Sequence, residues 1–194
     1  MASVVLSGDT SGSITVSAPA VSGSNTQTLV ATTGTLAPIV SGTAVASTSG
    51  TSIDFTSIPS WVKRITVMFN GVSTSGTSVV RIQLGTSSGV TTSGYLGSAS
   101  TIATGVATSN FTAGFDENSA GGSTAASIRH GSYVIQNLTS NTWTCNGLIG
   151  FSNEARSSTV AGVVPLAATL DRVRITTANG TDTFDAGTIN ILYE

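Results

Sequence analysis

The chain has 194 residues, enough for one ordinary domain with an extension or for two small domains. Serine, threonine and glycine number 30, 32 and 22, while charged residues make up 8% and Lys63 is the single lysine. This composition excludes a helical bundle, whose surface needs Glu, Lys, Arg and Gln, and a charged disordered tail. Thr and Val favour strands, and Gly and Ser supply the turns between them, so the expected class is all-β. A formal net charge of -2, spread thinly, leaves no footprint for the phosphates of a nucleic acid. No signal-like leader and no run of about 18 apolar residues occurs, so membrane insertion is not expected and the chain reads as made in the cytoplasm. One cysteine, Cys145, cannot form an internal disulfide.

Residues 1–53 hold a single charge, Asp9, and no aromatic side chain; the first aromatic is Phe55. Short aliphatic pieces, Val4-Val5-Leu6, Ile14-Thr15-Val16 and Leu29-Val30, alternate with Gly-, Ser- and Thr-rich turns. Such pieces cannot build a core alone. They belong either to a disordered arm or to an arm ordered by docking on other chains; low charge and regular aliphatic spacing favour the second. The expected division is an N-terminal arm over 1–48 and a β-sandwich over 49–194.

From residue 51 the pattern has period two. Ile53 and Phe55 alternate with Asp54 and Thr56, and after Pro59 the run at 62–69 sets Ile65, Val67 and Phe69 against Arg64, Thr66 and Met68. Asn70-Gly71 opens a polar connection, and Val80, Ile82 and Leu84 mark the next strand. YVIQNL, TWTCNGLIGF, VVPLAATL, DRVRITT and GTINILY repeat the theme. Asn179-Gly180 between DRVRITT and TDTF is a hairpin signal. The spacing predicts an antiparallel β-sandwich, jelly-roll-like, preceded by an extended β-rich arm. STSGTS occurs at Ser47–Ser52 and again at Ser73–Ser78, and reads as low complexity.

Several patterns invite chemistry. Gly85-Thr86-Ser87-Ser88-Gly89 matches a nucleophile elbow with His130 as the only available base, but no helical pattern follows, and a turn and a strand histidine are expected. Asp116 to Ser127 begins like a calcium loop yet has Ala120 and Ser127 where ligands belong, so it reads as a polar surface loop. One Cys and one His exclude a zinc site. Asp182 and Asp185 are spaced to fix local hydrogen bonds rather than to flank a glycosidic bond. Trp143 shares a strand face with Cys145, Ile149 and Phe151 and reads as core; Trp61, at a strand entrance, is less determined. Asn110, Asn137 and Asn179 stand in N-x-S/T triplets and read as loop asparagines. No catalytic, cofactor-binding or metal residue is assigned, and no cofactor is expected.

The runs SIDFTSIPSWVKRITVMFNGVSTSGTSVVRIQLG and ATLDRVRITTANGTDTFDAGTINILYE, 61 residues together, resemble a module of tail and fibre-type virion proteins of tailed bacteriophages and prophages. GDTSGSITVSAPAVSGSNTQTLVATTGTL more weakly resembles the attachment segments that precede distal fibre domains. The resemblance implies a non-enzymatic structural protein on a virion exterior, a homotrimer docked on other virion proteins through its arm. It implies a tail fibre or tail-associated position, with a host-surface glycan or protein as a further partner. A capsid decoration or head fibre is the alternative, and a carbohydrate-binding adhesin or depolymerase the alternative of another class. Loops 71–78, 85–94 and 112–127 are the expected tip loops.

Overall fold

The computed structural model describes residues 3–7, 11–17, 37–117 and 123–194. The chain divides into two units, Met1–Leu36 and Ala37–Glu194. In the first, β1 (Ser3–Ser7) pairs antiparallel with β2 (Ser13–Ser17). The register sets Val4 opposite Val16 and Leu6 opposite Ile14. Leu6 and Val16 are exposed. Leu29-Val30 lies outside the described residues.

The second unit holds β3 (Val40–Ser41), β4 (Val45–Ala46), β5 (Ser52–Phe55), β6 (Arg64–Thr74), β7 (Val80–Thr86), β8 (Gly89–Val90), β9 (Leu96–Ile102) and β10 (Val106–Phe111). It continues with β11 (Phe115–Asp116), β12 (Arg129–Thr139), β13 (Thr142–Phe151), β14 (Ser157–Pro165), β15 (Arg172–Thr177) and β16 (Phe184–Tyr193). One sheet runs β10-β9-β14-β13-β12-β6-β16-β3, with β4 also on β16; the other runs β11-β7-β15-β5, with β8 on β7. Among the described residues no helix is long and apolar enough to cross a membrane. The expectation of an all-β, antiparallel, sandwich-like fold holds.

The boundary falls after Leu36 rather than after residue 48, because Val40–Ser41 and Val45–Ala46 extend the large sheet by pairing with β16. Their main-chain bonds tie them to the sandwich although their composition matches the arm.

One apolar core joins the two sheets. Ile65, Val67 and Phe69 from β6, and Ile135, Cys145 and Ile149 from β12 and β13, meet Ile82, Leu84, Val173 and Ile175 from the smaller sheet. The period-two reading of these strands is therefore correct. Trp143, 4% exposed, packs in the core as its strand position indicates.

Three local features differ from the sequence reading. Asn70-Gly71 does not open a connection. Gly71 does take the left-handed conformation the dipeptide favours (φ 67°), but it forms a bulge within β6, which continues to Thr74. Opposite it stands Gly187 (φ 97°), whose added Cβ would lie 2.5 Å from the Gly71 carbonyl. Asn179-Gly180 makes a turn, with Gly180 at φ 70° and its N–H bonded to Thr177 O at 3.0 Å, yet not a hairpin. β15 belongs to the small sheet and β16 to the large one, so the turn carries the chain across the core. VVPLAATL is a strand only as far as Pro165.

The two STSGTS copies are structural partners. Ser47 bonds through its hydroxyl to Ala186 O at 2.8 Å, Gly50 O accepts from Phe184 N, and in the second copy Ser73 bonds Asp185 while Ser75 N donates to Thr183 O. Both copies therefore hold the chain at 183–187 where β16 begins.

Candidate functional site

Charge is concentrated on the outer face of the smaller sheet. Register sets Arg174 opposite both Asp54 and Gln83, and Arg81 opposite both Asp116 and Thr176. Arg81 grips Asp116 with two bonds of 2.6 and 2.7 Å, and Arg174 grips Asp54 with two of 2.7 and 2.8 Å. Each aspartate bond raises the affinity of its guanidinium for the proton. Gln83 spends its amide N–H on Ala113 O at 2.8 Å. Arg81, Gln83 and Arg174, with Thr51, Ser52 and Thr176, line a depression of about 250 Å³ whose rim includes Asn179-Gly180. Both guanidiniums are already neutralised, so the depression presents polar groups without an anion trap, and no aromatic ring lines it for stacking on a sugar.

A second polar cluster is buried. Arg129, 0% exposed, bonds Glu117, 3% exposed, through Nε at 2.9 Å to both carboxylate oxygens. Its remaining nitrogens reach Ser127 O and Ser123 Oγ, and the Phe151 ring lies 5.6 Å from Arg129 Cζ and 3.9 Å from Arg156 Cζ. Ser127 Oγ donates to Glu154 at 2.5 Å, and Asn153 joins Ile128 N to Ala126 O. The charges thus clamp residues 123–129 and 152–156 to the sandwich. This corrects the reading of Asp116 to Ser127 as a polar surface loop: Asp116 and Glu117 are consumed by arginines, and 118–122 lie outside the described residues.

The other sequence candidates are scattered. Ser87 occupies the tight turn between β7 and β8, and the strand-to-helix turn of a nucleophile elbow is absent there. His130 faces elsewhere. Gly71 N–H donates to its Nδ1 at 3.3 Å, and its Nε2 lies 3.2 Å from Ser152 Oγ, a neighbour the sequence gave no means to foresee. An imidazole whose Nδ1 accepts carries its proton on Nε2, so it donates to Ser152 and is the wrong tautomer to activate that hydroxyl. Asp182 accepts from Asn179 Nδ2 at 2.7 Å and Ser78 N at 2.9 Å, and these bonds hold its carboxyl below the ordinary aspartate value. A glycosidic general acid needs the opposite shift. Asp185 accepts from Ser73. Asn110 and Asn137 stand on strands β10 and β12 rather than in loops, while Asn179 caps its turn. Trp61 is 38% exposed and tilts against Tyr193 at 5.9 Å. The loop expected at 71–78 is strand as far as Thr74, and that at 85–94 is shortened by β7 and β8. Burial pushes the Cys145 thiol up, which removes it from thiolate chemistry.

All six arginines have a carboxylate partner: Arg64 with Glu194, Arg81 with Asp116, Arg129 with Glu117, Arg156 with Glu154, Arg172 with Asp171 and Arg174 with Asp54. Lys63 lies beside Asn137. No basic patch is therefore left over for phosphates. Among the described residues no group of three or more His, Cys, Asp or Glu is placed to hold a metal ion. No protein-family model, no curated protein and no solved structure matches the chain.

Proposed function

We propose that the chain is a non-enzymatic structural protein of a tailed-phage virion exterior, docked through its N-terminal arm, assembled as a homotrimer and displaying the sandwich at a short tail fibre or other tail position. The observation that carries this reading is where the resembling runs fall. Residues 52–85 and 168–194 are far apart in sequence, yet they supply β5, β6, β7, β15 and β16, with β15 between β7 and β5 and β16 beside β6. The resemblance therefore covers one spatially continuous piece of the fold, with strands in both sheets, as a transferable module requires.

Three further observations support the reading. On the β1–β2 ribbon Val5, Leu6 and Val16 are exposed, and a two-stranded hairpin is by itself marginal in water, so a covering partner suits it. All arginines are internally neutralised, and the histidine is held in a tautomer that suits structure rather than general-base work. Immunogold labelling of intact particles with antibody against this chain tests the proposal: label on the particle exterior, at the tail, is expected. Label at the head would replace the tail position by the decoration one, and particles free of the chain would overturn the reading.

A further inference from the structure

The outer face of the large sheet differs from that of the small one. Register aligns Ser100, Thr159, Leu148, Ser132, Met68 and Asn190 in a row across β9, β14, β13, β12, β6 and β16. The neighbouring row on the same face runs from Ser98 and Ala161 through Asn146 and Val134 to Thr66 and Leu192. These two rows contain no Asp, Glu, Lys or Arg. Leu148, at the centre, is 56% exposed, and Leu96, Ile102 and Val106 on the same face are 66%, 54% and 74% exposed.

We infer that this face is the contact surface between copies of this chain. A third row without carboxylate, lysine or arginine runs from Ile102 and Ser157 through Gly150 and His130 to Asn70, whereas the row beyond Thr66 holds Arg64, paired with Glu194, at the edge of the face. The area is close to that of a standard interface: seven strands about 4.8 Å apart, each contributing about six residues at 3.4 Å, give about 700 Å², against about 800 Å² per partner. The chemistry selects a second copy over a different partner. Ser, Thr and Asn each carry a donor and an acceptor, so copies of this face grouped about a threefold axis satisfy one another's hydrogen bonds, whereas a charged partner would bury charges with nothing to pair them. Scattered aliphatics among them supply apolar burial without the like-charge repulsion that two copies of the Arg- and Asp-bearing small-sheet face would have to resolve. The inference deepens the assembly part of the proposed function and stands apart from where on a particle the chain sits.

Sedimentation equilibrium of the full chain at micromolar concentration tests it, with Leu148→Arg and Thr159→Glu as variants and Thr56→Arg, beside β5 of the small sheet, as control. Both sites are exposed strand positions, and unchanged thermal unfolding of the separated protein verifies the fold. The wild type and T56R are expected to be oligomeric. Like charges placed across an interface cost several kcal/mol, and 1.4 kcal/mol is tenfold in affinity, so L148R and T159E are each expected to weaken association at least about a hundredfold. A monomeric wild type would overturn both this inference and the proposed trimer. An oligomer that both variants leave intact would overturn the assignment of this face while leaving the proposed function standing.

Discussion

Arg129 and Glu117 bring two full charges into the interior, and their mutual bonds, with Ser123, Ser127 and the Phe151 ring, account for how the interior accepts them. Removing one partner strands the other. Glu117→Gln is expected to cost about 3–5 kcal/mol, read as a fall in the urea midpoint at unchanged slope. Replacing both residues by apolar ones of similar volume is expected to cost far less. Cys145, 3% exposed with its thiol pushed up by burial, is expected to resist a chromogenic disulfide reagent in the native protein and to react fully once it is denatured. Reaction of the native protein at the denatured rate would contradict the core assignment. At Asp182, the Asn179 amide and then the Ser78 N–H depress the carboxyl pKa. A depressed folded-state pKa gives stability that is present above the unfolded value and lost as pH falls through the folded one. The melting difference between the wild type and Asn179→Ala is therefore expected near neutrality and should shrink as pH drops below about 4. Because Asp182 is largely solvated, the effect is small. The Asn179–Asp182 bond is of the local kind that the spacing of Asp182 and Asp185 indicates, whereas Arg129 meets Glu117 across a loop and Ser78 meets Asp182 across 104 residues, pairings the sequence does not show.

Elements were legible where alternation was strong. Ile65, Val67 and Phe69, or Ile53 and Phe55, announce their strands because burial on one face of a sheet imposes period two on the apolar residues. β9 and β10, LGSASTI and VATSNF, gave no such signal: their inward positions are filled by Gly97, Ala99 and Thr101, small groups that leave room for Phe111. Of the three Asn-Gly dipeptides, Asn70-Gly71 and Asn179-Gly180 conveyed a left-handed residue correctly but not its use, because one conformation serves a bulge in β6 and a crossing between sheets equally well, whereas Asn146-Gly147 lies within β13 and Gly147 is not left-handed. The distinction predicts different mutational costs. Gly180→Ala meets open space and is expected to cost about 1 kcal/mol for the backbone conformation alone. Gly187→Ala adds a clash with the Gly71 backbone and is expected to cost at least about 2 kcal/mol, both measured by chemical denaturation. Equal costs would remove the Gly71–Gly187 approach from the account of the bulge.

The whole molecule has two unlike faces. The small sheet carries paired charges and a polar depression, and the large sheet presents a surface of Ser, Thr, Asn and aliphatic groups with the Arg64–Glu194 pair at its edge. Low charge in the composition hinted at covered surfaces, but it pointed to the arm, because only the pairing register shows which of the later residues share an outer face. The candidate chemistry was legible mainly as patterns without context. Ser87, His130, Asp116, Asp182 and Asp185 lie on different turns and strands, and the partners of His130, Asp116 and Asp185 were set by topology, while Asp182 keeps one local partner, Asn179. The central claim, a structural role on a virion exterior, is tested most directly by counting copies of the chain in purified particles by quantitative mass spectrometry. A tail position with closed ring symmetry predicts about 6 to 18 copies per particle, whereas hundreds would indicate decoration of the capsid. Absence of the chain from particles that contain the other products of the same genome would contradict the claim.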